Sequence, residues 1–212
     1  DPIPSDLLEA NCIPQGFMVQ KGWDIVCDYY ADPEGSYLPW SKAIVDAAPS
    51  TSSQVSGQFG SLDFKLFFTD ETGKTISPWH DIPLLAAAET TTSPKLFNFI
   101  VEIPAFQTAK MEVSKDLRDN PIVQDSKKGM PRYYGYGSPF FNYGLLPQTW
   151  EDPSNCNAEG ICGDDDPLDV MEVGSGPLPM GSVVPVKVLG TLELIDEGET
   201  DYKVIVIRAD DP

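Results

Sequence analysis

The chain has 212 residues, 41% of them hydrophobic and 10% aromatic, which suffices to bury one sizeable core without metal or disulfide staples. Fourteen basic against 33 acidic residues leave a formal net charge of -19, which repels nucleic acid and anionic membrane surfaces and argues against both as partners. No run of about 18 apolar residues occurs, so no membrane span is expected and the chain is read as soluble. Twenty prolines and 17 glycines in a chain of ordinary hydrophobicity point to many turns and short strands, hence a mainly β fold.

Residues 1–57 read as an irregular N-terminal extension. Trp23, Tyr29, Tyr30, Tyr37 and Trp40 fall in a stretch with neither strand nor helix period, and the linker-like APSTSSQVSGQ follows. Such a segment either drapes over the following domain or serves as a docking arm for a protein partner. The domain proper is expected over 58–212. In SLDFKLFF, Leu62, Phe64 and Leu66 share one strand face, and ETGK supplies a turn at Gly73. AAAETTTS reads as a surface loop. FNFIVEIP sets Phe97, Phe99, Val101 and Ile103 on one face and Asn98, Ile100 and Glu102 on the other. AKMEV pairs Lys110 with Glu112 opposite Met111 and Val113. Finally VVPVKVLGTLELI, DEGETD and YKVIVIRA make strand, loop and returning strand. Many short strands without helical periodicity predict a small closed or nearly closed barrel.

The chemistry concentrates in GDDDPLDV. Asp164 and Asp166, two apart on extended chain, face the same way, and Pro167 lets Asp169 rejoin them. Crowded carboxylates cost stability unless cations sit between them. Oxygen-only ligands favour Mg²⁺, Mn²⁺ or Ca²⁺ over zinc. An EF-hand is excluded because Leu168 and Ser175 fall where ligands are required. Asp196 and Asp201 flank a second acidic loop, and both loops are expected at strand ends around the barrel mouth. Glu102, Lys110, Glu112, Arg132, Tyr143 and Lys203 complete a mixed cage suited to a metal-bound polyphosphate. Trp150 is expected beneath the site, its indole N–H fixing a loop carboxylate. His80 is expected to be a hydrogen-bonded structural residue, and Lys127 and Lys128 solvated surface charge. Cys12, Cys27, Cys156 and Cys162 form no CxxC pair and read as structural or incidental, with a Cys12–Cys27 bridge open only in an oxidising compartment.

These residues meet a known family. EIP followed by AKMEV, then NPIVQDSKKGMPR, FNYGLLPQTWEDP, GDDDPLDV and LIDEGETDYKVIVI resemble, in order and spacing, the soluble family I inorganic pyrophosphatases. The likeness runs from Leu62 to Pro212 and is nearest to the eukaryotic, plastid-like branch. It implies a five-stranded OB-like barrel and Mg²⁺-dependent hydrolysis of inorganic diphosphate, with Mn²⁺ as a substitute ion. It assigns metal binding to Asp164, Asp169, Asp196, Asp201 and Glu102, and water activation to Asp166. Lys110, Arg132, Tyr143 and Lys203 would bind phosphate, with Glu112, Asp125, Glu151 and Asp152 as an outer acidic shell. A plastid or other organelle is the expected compartment, with the cytoplasm as alternative, and oligomers are open. Two departures stand out. The likeness stops at Pro212, short of the C-terminal segment family members carry, and Pro139 stands where a tyrosine lies near phosphate in many eukaryotic forms. Tyr133, Tyr134 and Tyr136 either compensate or pack over the barrel. The alternative function is therefore a catalytically impaired structural or docking subunit of a larger assembly.

Overall fold

The structure, a computed structural model, describes residues 51–86 and 95–211 together with the short strand Met18–Val19. In chain order the strands are β1 (Met18–Val19), β2 (Ser52–Ser56), β3 (Lys65–Thr69), β4 (Thr75–Ile76), β5 (Phe97–Ile103), β6 (Met111–Val113) and β7 (Ile122–Gln124). There follow β8 (Ser126–Lys127), β9 (Met130–Pro131), β10 (Asn142–Leu145), β11 (Thr149–Trp150), β12 (Asp169–Glu172), β13 (Val183–Asp196) and β14 (Glu199–Arg208). Among the described residues there is no helix. The expected aromatic cluster of the extension, Cys12, Cys27 and most of AAAETTTS lie outside the described residues.

Five strands close into a barrel in the order β10-β12-β14-β13-β5, the OB-like architecture expected from the sequence. β12 and β14 run parallel and the other barrel pairs are antiparallel. β13 and β14 form the expected hairpin, turning at Glu197 and Gly198, both of which have positive φ. The register of that hairpin shifts between Val188 and Gly190, a bulge of the kind that bends a long strand into barrel closure.

Period-2 alternation explains which side chains enter. Phe97, Phe99, Val101, Val170, Val186, Val188, Val204 and Val206 fill one core with Leu146 and Leu168. β5 is buried at every position, because its other face is also covered. There Ile100 meets Phe64, Leu66, Phe68, Met111 and Ile122, which belong to or adjoin a second sheet, β2-β3-β7-β6. The stretch expected to be a linker supplies β2, which pairs with β3 along its length through Ser52↔Thr69 to Ser56↔Lys65.

Candidate metal and phosphate site

Glu102, Tyr143, Asp169, Asp201 and Lys203 occupy the outward face of four neighbouring barrel strands, while Asp164 and Asp166 lie in the loop before β12 and Asp196 at the end of β13. Along β14, Tyr202, Val204 and Val206 point into the core, so Asp201 and Lys203 point out. β12 does the same with Val170 inside and Asp169 outside, and the parallel register sets Asp169 beside Lys203. The ammonium of Lys203 donates to Asp169 and to Asp201. Burial lowers its affinity for a proton, but the two carboxylates outweigh that and hold it charged. On β10 the outward Tyr143 hydrogen-bonds Asp169, and Lys203 Nζ lies 5.6 Å from its ring centroid. Burial and then the charge of Asp169 keep the phenol protonated far past neutrality.

β10 can approach β5 this closely only because residue 144 is glycine. A Cβ there would lie 1.9 Å from the Ile100 carbonyl oxygen. On the outward face of β5, Glu102 is buried and accepts the Val113 amide at 2.6 Å. Burial first, and Asp169 second, push its carboxyl well above the ordinary range.

Two further cations are fixed beside this face. Lys110 Nζ lies 2.5 Å from Glu112 Oε2 and 3.4 Å from Asp125 Oδ2, and Arg132 donates to the same Asp125 oxygen at 2.9 Å. Burial of Lys110 works against its charge, but Glu112 and Asp125 prevail and raise its pKa. Gln124 ties the pair together. Its amide donates to the carbonyls of Lys110, Asp125 and Arg132 at 2.9, 3.1 and 2.7 Å. Thus Glu112 and Asp125 of the expected acidic shell position the basic residues, while Asp152 accepts from the amide and hydroxyl of Ser154 and shapes a turn.

The acidic loop departs from the expected geometry. It is not extended: Asp165 has φ 69°, and the Asp166 amide donates to Asp164 Oδ1 at 3.0 Å. This is an Asx turn, which a run of aspartates favours over strand. Asp164 and Asp166 consequently part. Asp164 turns inward, where burial and then the charge of Asp166 raise its pKa to about 7. Asp166 meets Lys115 Nζ at 3.0 Å, and Asp165 accepts the Trp150 indole N–H at 2.8 Å. The expected indole contact is therefore present, on the middle aspartate.

One carboxylate oxygen each from Glu151, Asp164 and Asp201 lies within 4.8 Å of the others. Glu151, expected in an outer shell, thus stands inside the group. Burial and then Asp164 raise its pKa to about 10. Its Oε2 is buried without a protein hydrogen-bond partner. A hard, oxygen-only donor set with an orphaned buried oxygen fits a divalent cation such as Mg²⁺. Asp196 is exposed at the tip of β13 and stands outside this three-carboxylate group. Its pairing with Glu199 nevertheless puts it on the face that carries Asp201.

Lys115 and Gln124 were not singled out by sequence, because a lone lysine in a loop or a lone glutamine at the end of a short strand carries no pattern of its own. His80 is exposed, its ring stacked on Trp79 at 4.7 Å. Lys127 and Lys128 are exposed as expected. Tyr134 packs against the β5 outer core, Tyr133 donates to the Gly60 carbonyl at 3.0 Å, and Tyr136 is exposed. Cys156 and Cys162 are joined by a disulfide, a pairing that spacing alone did not indicate. It lies next to the acidic loop, where the Thr200 amide donates to the Cys162 carbonyl at 2.8 Å.

A family model described as inorganic pyrophosphatase matches residues 99–212, more than half of the chain. A soluble inorganic pyrophosphatase of Arabidopsis thaliana, named as chloroplastic, is 51% identical over 166 residues, covering 77% of this chain and 53% of that protein. The human inorganic pyrophosphatase is 48% identical over 72% of this chain and 52% of its own length. The chain therefore spans about half the length of the curated relatives it matches. A crystal structure of a type I inorganic pyrophosphatase from Toxoplasma gondii superposes with a TM-score of 0.72 at 48% identity, covering 76% of this chain and 71% of that one. An N-terminally truncated Trypanosoma cruzi vacuolar soluble pyrophosphatase, in complex with PPi, gives 0.72 at 41% identity over 77% and 66%.

Proposed function

This chain belongs to the inorganic pyrophosphatase family, and on that premise we propose that it hydrolyses inorganic diphosphate to two phosphates with Mg²⁺. The observation that carries this reading is the meeting, on and beside one outward barrel face, of half-buried and buried carboxylates with the fixed cations Lys110, Arg132 and Lys203 and the donor Tyr143. Asp164, Asp169 and Asp201 would hold divalent cations, with Asp196 on the same face and Glu102 supporting from beneath. Such cations, when bound, polarise phosphoryl oxygens and acidify water.

The side chains supply the rest. Lys110 and Arg132, held in place by Asp125 and Gln124, bind oxygens of the substrate as fixed positive charges. Lys203 bonds Asp169 and Asp201, so it keeps both carboxylates aligned while offering its remaining proton. Tyr143, kept protonated by its surroundings, is a hydrogen-bond donor and not a base. Asp166, half-exposed and turned outward by the Asx turn, takes the proton from the attacking water. A new P–O bond forms to that water as the bond to the bridging oxygen breaks, and the second phosphate departs, with no covalent enzyme intermediate.

The named relatives and structures are all pyrophosphatases, which gives no support to a non-catalytic docking subunit. The 51% identity to a chloroplastic relative supports a plastid as the working compartment. Phosphate release from diphosphate with Mg²⁺ tests the proposal. Turnover that Asp166→Asn abolishes is expected, and release no greater than that of the variant would refute it.

A further inference from the structure

We propose that the Cys156–Cys162 disulfide is a redox modification site: a dithiol reductant opens it at the surface, and its opening loosens the acidic loop and slows turnover. Only the effect on turnover rests on the hydrolytic reading above; the chemistry of the bond does not.

The bond lies where a reductant reaches it. Cys156 is exposed and Cys162 half-buried, and Ala158, Glu159 and Gly160 between them are exposed. Exposed disulfides are the ones that thiols open readily. The fold does not depend on this staple, because two buried apolar clusters already hold the barrel and its outer sheet. Nor does the turn between the cysteines depend on it. Asn157 Oδ1 accepts the Glu159 and Ile161 amides at 3.1 and 2.9 Å, and the Asn157 amide donates to the Ile161 carbonyl at 2.9 Å. These bonds keep the two thiols near each other after reduction, so the disulfide can form again.

The consequence of opening follows from what Cys162 holds. Its sulfur is tied to Cys156, and its carbonyl accepts the Thr200 amide of β14 at 2.8 Å. Gly163 pairs with Thr200, and Asp164 comes next in the chain. Cys162 is thus fixed on two sides just before the acidic loop begins. Opening the disulfide leaves it held by β14 alone, and the loop that carries Asp164 and Asp166 gains freedom at its first residue. Turnover depends on the placement of those carboxylates.

The exchange balances as follows. A thiolate of the reductant attacks Sγ of exposed Cys156, forming a mixed disulfide and releasing Cys162 as a thiolate that takes up a proton. The reductant's second thiol then attacks its own sulfur in the mixed disulfide, closing the reductant's ring and releasing Cys156 as a thiol. Two electrons and two protons pass from the dithiol to the protein.

The test uses the full chain with Mg²⁺ and diphosphate, assayed as oxidised, after dithiothreitol, and after reoxidation with diamide, with amide hydrogen exchange measured in each state. Reduction should lower turnover by about fivefold and speed exchange across residues 161–166 by about tenfold, and reoxidation should restore both. Cys12→Ser combined with Cys27→Ser should respond as the parent does. Cys156→Ser combined with Cys162→Ser should stay at the reduced level throughout. If that variant does not fold, alkylating the reduced parent with iodoacetamide holds the same open state. Exchange and turnover that stay within about twofold of the oxidised chain on reduction, or a response that follows Cys12 and Cys27 instead, would overturn the proposal. If exchange responds while neither state releases phosphate, the redox site stands and the hydrolytic reading falls.

Discussion

Replacing Glu151 by glutamine in the metal-free chain should stabilise it, and increasingly so as pH rises toward neutrality. The buried carboxyl has its pKa raised from an ordinary 4.5 to about 10 by burial and by Asp164. Its proton therefore stays on the folded chain after the unfolded chain has lost it. A group with a raised folded pKa gives its full stabilisation below the unfolded value and loses it as pH climbs toward the folded value. Each pH unit in that window costs about 1.4 kcal/mol, so between pH 4.5 and 7 Glu151 costs the metal-free fold about 3 kcal/mol. Glutamine has no proton to lose and removes this slope. In chelator, the variant and parent should melt together near pH 4 and separate by roughly 6–12 °C at pH 7. A parent that melts at or above the variant throughout this range in chelator would refute the reasoning.

Other consequences follow from single contacts. Gly144→Ala places a Cβ 1.9 Å from the Ile100 carbonyl; it should cost about 3 kcal/mol and be visible as a lowered denaturation midpoint, and a loss under about 1 kcal/mol would show that β10 can shift away freely. Removing the Cys156–Cys162 disulfide by a double serine variant should destabilise the fold by about 2 kcal/mol, and unchanged melting with and without a dithiol reductant would contradict this. Lys115→Met removes the ammonium 3.0 Å from Asp166; because the pair is partly exposed, kcat for diphosphate should fall by at most about fivefold. A loss of several orders of magnitude would place Lys115 on the substrate instead.

The barrel could be read from sequence where one face of a strand is uniformly apolar, as in Phe97, Phe99 and Val101 of β5 or Val204 and Val206 of β14. Alternation in those strands also fixes that Glu102, Asp201 and Lys203 point away from the core. β2 was less legible, because all five of its residues are exposed and Ser52–Ser56 carries no apolar stripe. Its place depends on pairing with β3, a property of the partner strand. The acidic loop misled because spacing of two implies a shared face only on extended chain, whereas Asp164 accepts the Asp166 amide and bends it. The inward position of Glu151 depends on how that loop is tied to β14 through Cys162, Gly163 and Thr200. Contacts between segments far apart in sequence leave no local pattern.

The most direct test of a metal centre facing a phosphate cradle is diffraction from crystals grown with Mn²⁺ and the slowly hydrolysed analogue imidodiphosphate. The account predicts anomalous peaks within bonding distance of Asp164, Asp169 and Asp201, with the analogue's oxygens against Lys110, Arg132 and Tyr143. Ions confined to other carboxylates, or an analogue bound away from these cations, would contradict it.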